Sequence, residues 1–252
     1  MGNQVSCARG LSTRRATTQN NALEDAVDLL ARQWCHDSTN NLAYLPKINS
    51  KLFVTSAPGA ISAASALKFQ HACFVGVCDT PTAELVAASV AKKVSYSFFS
   101  VEHDTEDLSP GDFCAQFLEP ALFIKASVLQ ETTASAVFVV VHCLMGINRS
   151  CTAICMAAIL LRKHLRKNID AKWLIDYVRA QNQQTRCAVL MNNAFVKYLV
   201  GFAAFVNHNH YQQHKHVNRA DVAATAHKFN LFYETNVGRF KKTFEALGVC
   251  EV

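Results

Sequence analysis

The chain has 252 residues, half of them hydrophobic, with 25 Lys and Arg against 19 Asp and Glu and a formal net charge of +6. That length suits one domain with extensions, and that apolar content suffices for a sizeable core. The basic excess is small and dispersed, which fits a phosphate-bearing partner or an anionic membrane surface and argues against a nucleic-acid partner. Ten cysteines without a regular short spacing or a secretory signal read as reduced cytosolic thiols rather than a disulfide framework. No apolar run approaches the length of a membrane span, and the nearest, Tyr198 to Val206, reads as a buried helix.

In chain order, residues 1–21 are polar, with Arg9, Arg14 and Arg15, and read as a flexible tail. Residues 22–44 read as an N-terminal helix, with Leu23, Val27, Leu30 and Trp34 on one face. Lys51 to Ser56 and Ala72 to Cys78 read as short buried strands with a helix, Ala60 to Phe69, between them. Val94 to Val101 is a third strand. Phe113 to Gln130 carries Phe117, Ala121, Ile124 and Val128 at helical spacing. Val137 to Val141 is a continuous β-branched and aromatic run, as a central parallel strand covered on both faces requires. Helices follow near Ala171 to Gln181 and Asn193 to Val206. The pattern implies an α/β domain over 45–206, a central mainly parallel twisted sheet flanked by helices.

The last part, 207–252, is expected to be a helical extension. It opens on a polar stretch with His208, His210, His214 and His216. Zinc spacing is lacking, so a solvated linker is the reading and no metal is expected. Arg219 to Tyr233 and Arg239 to Leu247 follow as helices, the first capped by Asn218.

One stretch carries chemistry, Val141-His142-Cys143-Leu144-Met145-Gly146-Ile147-Asn148-Arg149-Ser150. It joins a buried strand to an apolar helix through a tight loop, outside the carboxyl end of a central strand, where open α/β sheets bind ligands. A helix starting near Arg149-Ser150 aims its free N–H groups and dipole into that loop, which suits an anion and the thiolate form of a cysteine. The five residues Leu144, Met145, Gly146, Ile147 and Asn148 can converge their backbone N–H groups on one phosphate. The Arg149 guanidinium then closes the cradle with paired hydrogen bonds. Gly146 permits the angles that such a loop needs. Cys143 is thereby the candidate nucleophile, forming a covalent intermediate.

The pattern His142-Cys143-x-x-Gly146-x-x-Arg149-Ser150 resembles the signature of the dual-specificity phosphatases, a branch of the cysteine-dependent protein tyrosine phosphatases. The resemblance extends over about 45 to 205. Asp107-x4-Asp112-x4-Phe117 with Phe123-Ile124 matches the stretch that carries the family's general acid, and Asn192-x-x-Phe195 resembles its Pro-Asn-x-x-Phe segment. Met191 stands where that proline usually is. The resemblance implies that Cys143 attacks phosphorus and Arg149 holds the phosphoryl oxygens. It makes Asp107 the acid and then the base for water, with Ser150 donating to the thiolate and His142 orienting the loop. Asp104, in His103-Asp104-Thr105, is the alternative acid. Cys78, ending the strand beside that of Cys143, is a candidate redox partner that would capture the oxidised nucleophile, as in some relatives of this superfamily; a core thiol is the plainer reading.

The resemblance thus implies a cofactor-free protein phosphatase acting on phosphotyrosine and phosphoserine or phosphothreonine monoesters, with a phosphorylated protein as partner. Asn148 also resembles the RNA 5′-triphosphatase branch, so that activity, a phosphoinositide phosphatase and an inactive phosphate-binding adaptor stay open as alternatives. Apolar Leu144 and Met145 favour a single phosphate over a polyphosphate. Finally, Met1-Gly2-Asn3-Gln4-Val5-Ser6-Cys7 fits the N-myristoylation pattern on Gly2, with Cys7 placed for palmitoylation and three arginines behind it. Attachment to the cytoplasmic face of a membrane is the expectation.

Overall fold

The computed structural model describes residues 42–65, 72–91, 94–102, 107–130, 138–165, 167–185, 188–208, 211 and 218–249. Five strands form one sheet in the order β1-β2-β5-β3-β4, namely β1 (Ala43–Tyr44), β2 (Leu52–Ser56), β3 (Cys73–Cys78), β4 (Ser95–Ser100) and β5 (Val139–Cys143). All neighbours are parallel except β1 and β2. The central strand β5, Val-Val-Val-His-Cys, is buried at every position. Its β-branched residues suit a strand covered on both faces.

Alternation along the strands sorts the core. Val54, Val75, Val77, Val139 and Val141 face one side, with Phe113, Phe117 and Ile154. Phe53, Phe74 and Val140 face the other, with Ala60, Ala63 and Leu85. Helices α1 (Ala57–Ser65) and α2 (Ala83–Val90) cover that second face. The first face carries α3 (Pro110–Leu129), α4 (Arg149–His164), α5 (Ala171–Thr185) and α6 (Asn193–Asn207). Helix α4 is buried from Arg149 through Leu161; the all-round apolar run seen in sequence is a helix threaded through the centre of the domain.

Three local expectations are corrected. Ala43 and Tyr44 pair with Val54 and Phe53 as β1, and Tyr44 stacks on Phe53 at 4.9 Å, so a helix over 22–44 does not reach its far end. Residues 1–41 lie outside the described residues. The helix expected from Ala60 begins at Ala57, where the Ser56 hydroxyl accepts from the Gly59 N–H at 3.3 Å. Helix α2 was missed because it is short and buries only Leu85.

The C-terminal segment joins the same core. Helix α7 (Arg219–Asn236) is capped by Asn218, which exchanges hydrogen bonds with Asp221 in a capping box. It lies so close to α6 that a Cβ on Gly201 would sit 2.3 Å from the Tyr233 ring. Phe229 packs edge-on against Phe202 and Phe205. A 3-10 turn (Val237–Phe240) and α8 (Lys241–Ala246) follow, burying Phe244, Leu247 and Val249. No described helix is long and apolar enough to cross a membrane.

Candidate active site

The loop from Cys143 to Arg149 sits at the carboxyl end of β5, and its shape follows from where its carbonyls go. Ala57 N–H donates to the Leu144 carbonyl at 3.2 Å and Leu190 N–H to that of Ile147 at 3.1 Å. The Cys151 thiol approaches the Gly146 carbonyl at 3.6 Å. Three carbonyls are thus held from outside the ring, and in a planar trans peptide the N–H that follows each points the opposite way. The amides of Met145, Ile147 and Asn148 are thereby turned toward the interior. Gly146 adopts φ +68, a left-handed angle that glycine takes without cost.

Inside this ring Cys143 is 3% exposed. Its sulfur accepts from the Gly146 N–H at 3.1 Å and lies 3.4 Å from the Ser150 hydroxyl. Both contacts bring donors to the sulfur, and the α4 N-terminus lies beneath it. Behind the loop His142 is fully buried and stacks on Tyr96 at 5.8 Å. Burial lowers its pKa to about 4, offset only in part by the Cys143 backbone. It is therefore neutral at physiological pH, which suits an orienting role and not proton exchange.

Arg149 is held on its own side by two groups. Its Nη1 donates to Asp79 Oδ1 at 2.6 Å and to the Val101 carbonyl at 3.1 Å. The ion pair is mostly enclosed, with side-chain exposures of 8% for Arg149 and 33% for Asp79. Asp79 was missed in the sequence, although a signal existed. It is the first residue past β3, at the same carboxyl edge of the sheet as the phosphate loop. Next to it Cys78 donates to the Thr80 carbonyl at 3.2 Å. Burial pushes the Cys78 thiol pKa up, and the nearby Cys143 adds to the rise.

A strap completes the loop's far side. Asn148 Oδ1 accepts from the Met191 N–H at 2.8 Å and the Asn192 N–H at 3.4 Å. A proline at 191 would have no N–H to give, so Met191 and Asn148 fit each other. Leu190 holds a left-handed φ of +55, an angle that disfavours a branched side chain. Arg179 braces it, donating to the Leu190 carbonyl at 2.9 Å and the Leu247 carbonyl at 3.1 Å. Asn192 caps α6 through the Phe195 N–H at 3.1 Å.

Asp107 is exposed in the turn before α3. Its neighbour Asp112 is occupied in the helix cap, with Ser109 accepting from its N–H at 3.1 Å and donating to its carboxylate at 2.6 Å. Asp107 is free of that cap. Asp104 and His103 lie outside the described residues, as do Gly2, Cys7, His210, His214 and His216.

Residues 114–192 match the protein-tyrosine phosphatase family model. The match spans Cys143, the whole loop, Arg149 and the Met191-Asn192 strap. It stops short of Asp79, Asp107 and the C-terminal helices. The match contains the signature that carries the resemblance. No curated protein matches the chain. Among solved structures, the phosphatase domain of Yvh1 from Chaetomium thermophilum is 22% identical, covering 65% of this chain and 95% of that one, with a TM-score of 0.48. Human DUSP28 is 17% identical over 62% of this chain and 90% of its own, at 0.44. The PTP-2 phosphatase of Cydia pomonella is 20% identical over 61% and 86%, at 0.43.

Proposed function

We propose that this protein is a dual-specificity protein phosphatase, hydrolysing phosphotyrosine and phosphoserine or phosphothreonine monoesters through a cysteinyl-phosphate intermediate. The observation that carries the reading is Cys143 seated inside a ring of inward amides, its sulfur bonded by Gly146 N–H, with Arg149 at the loop's end held by Asp79. In the first step the Cys143 sulfur attacks phosphorus, and the S–P bond forms as the ester P–O bond breaks. Asp107 gives its proton to the departing oxygen. In the second step the Asp107 carboxylate takes a proton from water, whose oxygen displaces sulfur and releases inorganic phosphate. Arg149 and the loop amides hold the equatorial oxygens throughout. Ser150 donates to the thiolate as it leaves. The chemistry calls for no metal or cofactor.

Two observations favour a protein monoester over the RNA 5′-triphosphatase and phosphoinositide alternatives. Leu144 and Met145, on the loop rim, are apolar and exposed, where a polyphosphate would call for cations. Asn148, the residue shared with the triphosphatase branch, has its side-chain oxygen engaged by Met191 and Asn192. The adaptor alternative is disfavoured because nucleophile and arginine are both in place. Turnover of phosphotyrosine and phosphothreonine peptides, a phosphoinositide and 5′-triphosphate RNA tests the reading. Cys143→Ser is expected to abolish turnover and still bind phosphopeptide; substantial activity in that variant sinks the mechanism.

The N-terminal motif supports a second part of the proposal, anchoring to the cytoplasmic face of a membrane by myristate on Gly2 and reversible palmitate on Cys7. One chain alone holds a protein only marginally, and Arg9, Arg14 and Arg15 add attraction to an anionic surface. Fractionation of wild type beside Gly2→Ala and Cys7→Ser is the test. An unchanged membrane fraction in Gly2→Ala removes the anchor.

A further inference from the structure

The C-terminal helix α7 reaches the turn that follows Asp107. Asn230 Oδ1 accepts the Gly111 N–H at 3.0 Å, one of the first-turn amides of α3 that have no partner within their own helix. Its amide is oriented by a second bond, Nδ2 donating to Glu234 Oε1 at 2.7 Å. The approach is close, since a Cβ on Gly111 would meet Asn230 Oδ1 at 3.3 Å and the Ala226 carbonyl at 3.6 Å. Three residues earlier, Tyr198 of α6 donates its hydroxyl to the Leu108 carbonyl at 2.6 Å. Tyr198 is wedged between Phe113 at 5.2 Å and Tyr233 of α7 at 5.1 Å. Burial raises the Tyr198 phenol pKa, with the Asp112 charge adding to it, so the hydroxyl remains a donor across neutral pH.

These contacts grip both ends of Leu108-Ser109-Pro110-Gly111, and the first gripped carbonyl belongs to the residue after Asp107. Ser109 and Asp112 lock the turn between them. An exposed carboxylate on a turn has little of its own to aim it. Proton transfer requires the carboxyl within hydrogen-bond reach of the leaving oxygen.

We infer that Asn230, Tyr198 and Tyr233 are positioning residues for the general acid, and that the C-terminal helix is thereby part of the catalytic apparatus. The inference rests on the reading of Asp107 as that acid. A misplacement of about 1 Å costs up to about a hundredfold in rate, and loss of one of two grips is expected to cost about a tenth of that.

The test is leaving-group dependence in the full-length protein. Tyr198→Phe and Asn230→Ala are expected to lower kcat on phenyl phosphate about tenfold, since that phenol departs poorly without a proton. On difluoromethylumbelliferyl phosphate, whose phenol is far more acidic, both should stay within about twofold. Vanadate inhibition, which reads the phosphate loop, should not move. Asn230→Asp keeps an acceptor oxygen for Gly111 and should restore phenyl phosphate turnover. In an Asp107→Asn background Tyr198→Phe should add nothing. Equal losses on both esters, or none, overturn the positioning role while Asp107 stands. If Asp107→Asn itself falls equally on both esters, the acid assignment fails and takes the inference with it.

Discussion

The two sides of the site are built in opposite ways. The phosphate loop is short, continuous in sequence and held mainly by backbone contacts. Its shape comes from three carbonyls bound from outside and one left-handed glycine. The proposed acid, Asp107, sits in a surface turn whose following residues are held by side chains from α6 and α7. The difference teaches where information about a site resides. Cradling an anion needs amides in one ring, which a few consecutive residues supply. Delivering a proton to a bound substrate needs a carboxylate brought from elsewhere, and its aim is set by distant packing.

The largest effect is expected inside the loop. Arg149→Lys replaces a guanidinium that donates to Asp79 and the Val101 carbonyl, and that is proposed to hold the phosphoryl oxygens, with a point charge. We expect a loss of kcat on the order of a thousandfold, similar on good and poor leaving groups. An Arg149→Lys enzyme within about tenfold of wild type contradicts the transition-state role that the loop assigns to the guanidinium.

Asp107→Asn is the matching test of the other side. A loss of about a hundredfold is expected on phenyl phosphate, shrinking as the leaving group becomes more acidic. Asp104→Asn in parallel settles the competition between the two. A larger loss in Asp104→Asn on the same ester moves the acid to that position.

How much of this was legible in the sequence follows the same division. The loop could be read because Cys143, Gly146 and Arg149 are local and each does one job. Strand β5 and helix α4 could be read because their apolar runs exceed anything a surface element needs. Asp79 was legible as the first residue past β3 at the sheet's carboxyl edge, but its pairing with Arg149 depends on how the loops after β3 and β5 come together. The role of Asn230 is equally nonlocal. Its neighbourhood reads as an ordinary polar helix face, and only the packing of α7 against α3 gives it a purpose. Met191 shows the converse. Its departure from proline is explained once Asn148 is seen to take its N–H.

The loop side also carries the buried histidine, which allows a test by pH. His142 titrates near 6.5 when unfolded and at about 4 in the fold. Between those values the unfolded chain binds the proton first, so stability falls as pH drops through the window and levels off below it. The loss between pH 7 and pH 5 is on the order of 2 kcal/mol. Urea unfolding of wild type against His142→Gln at both pH values isolates it, because only the wild type carries this slope. Equal slopes would mean that His142 takes up a proton as readily in the fold as in the unfolded chain, and that burial does not hold it as a neutral ring.

A smaller effect is expected at Asp79. Asn at this position keeps an oxygen for Arg149 Nη1, and Ala removes it. Asp79→Asn should stay within about threefold of wild-type kcat, and Asp79→Ala should lose about tenfold, in line with a misaimed donor rather than a missing one. Wild-type turnover in Asp79→Ala shows that the guanidinium is aimed without its ion pair, and then the phosphate loop is self-sufficient.

The last test leaves basal activity unchanged and concerns the edge where β3 meets β5. Peroxide converts the Cys143 thiolate to a sulfenic acid, releasing hydroxide. Attack by the Cys78 sulfur then forms the disulfide, and its proton leaves with the sulfenic oxygen as water. The pairing of Gly76 with His142 puts the two strand ends side by side, and the influence of Cys143 on the Cys78 thiol marks them as neighbours. Alternation along the strands works against an easy bridge, since Cys78 follows the face of Gly76 and Cys143 the opposite one. Cys78 is also engaged with the Thr80 carbonyl and, being a thiol and not a thiolate, attacks slowly. The expected outcome is a Cys78–Cys143 link that appears after inactivation, lags behind it and is reversed by a dithiol. Cys78→Ser should keep full activity before peroxide and lose the reversal after it, because the sulfenic acid then oxidises further. Peptide mapping decides the matter. Inactivation without any such link, or full recovery in Cys78→Ser, leaves Cys78 as a core thiol and confines redox sensitivity to the loop itself.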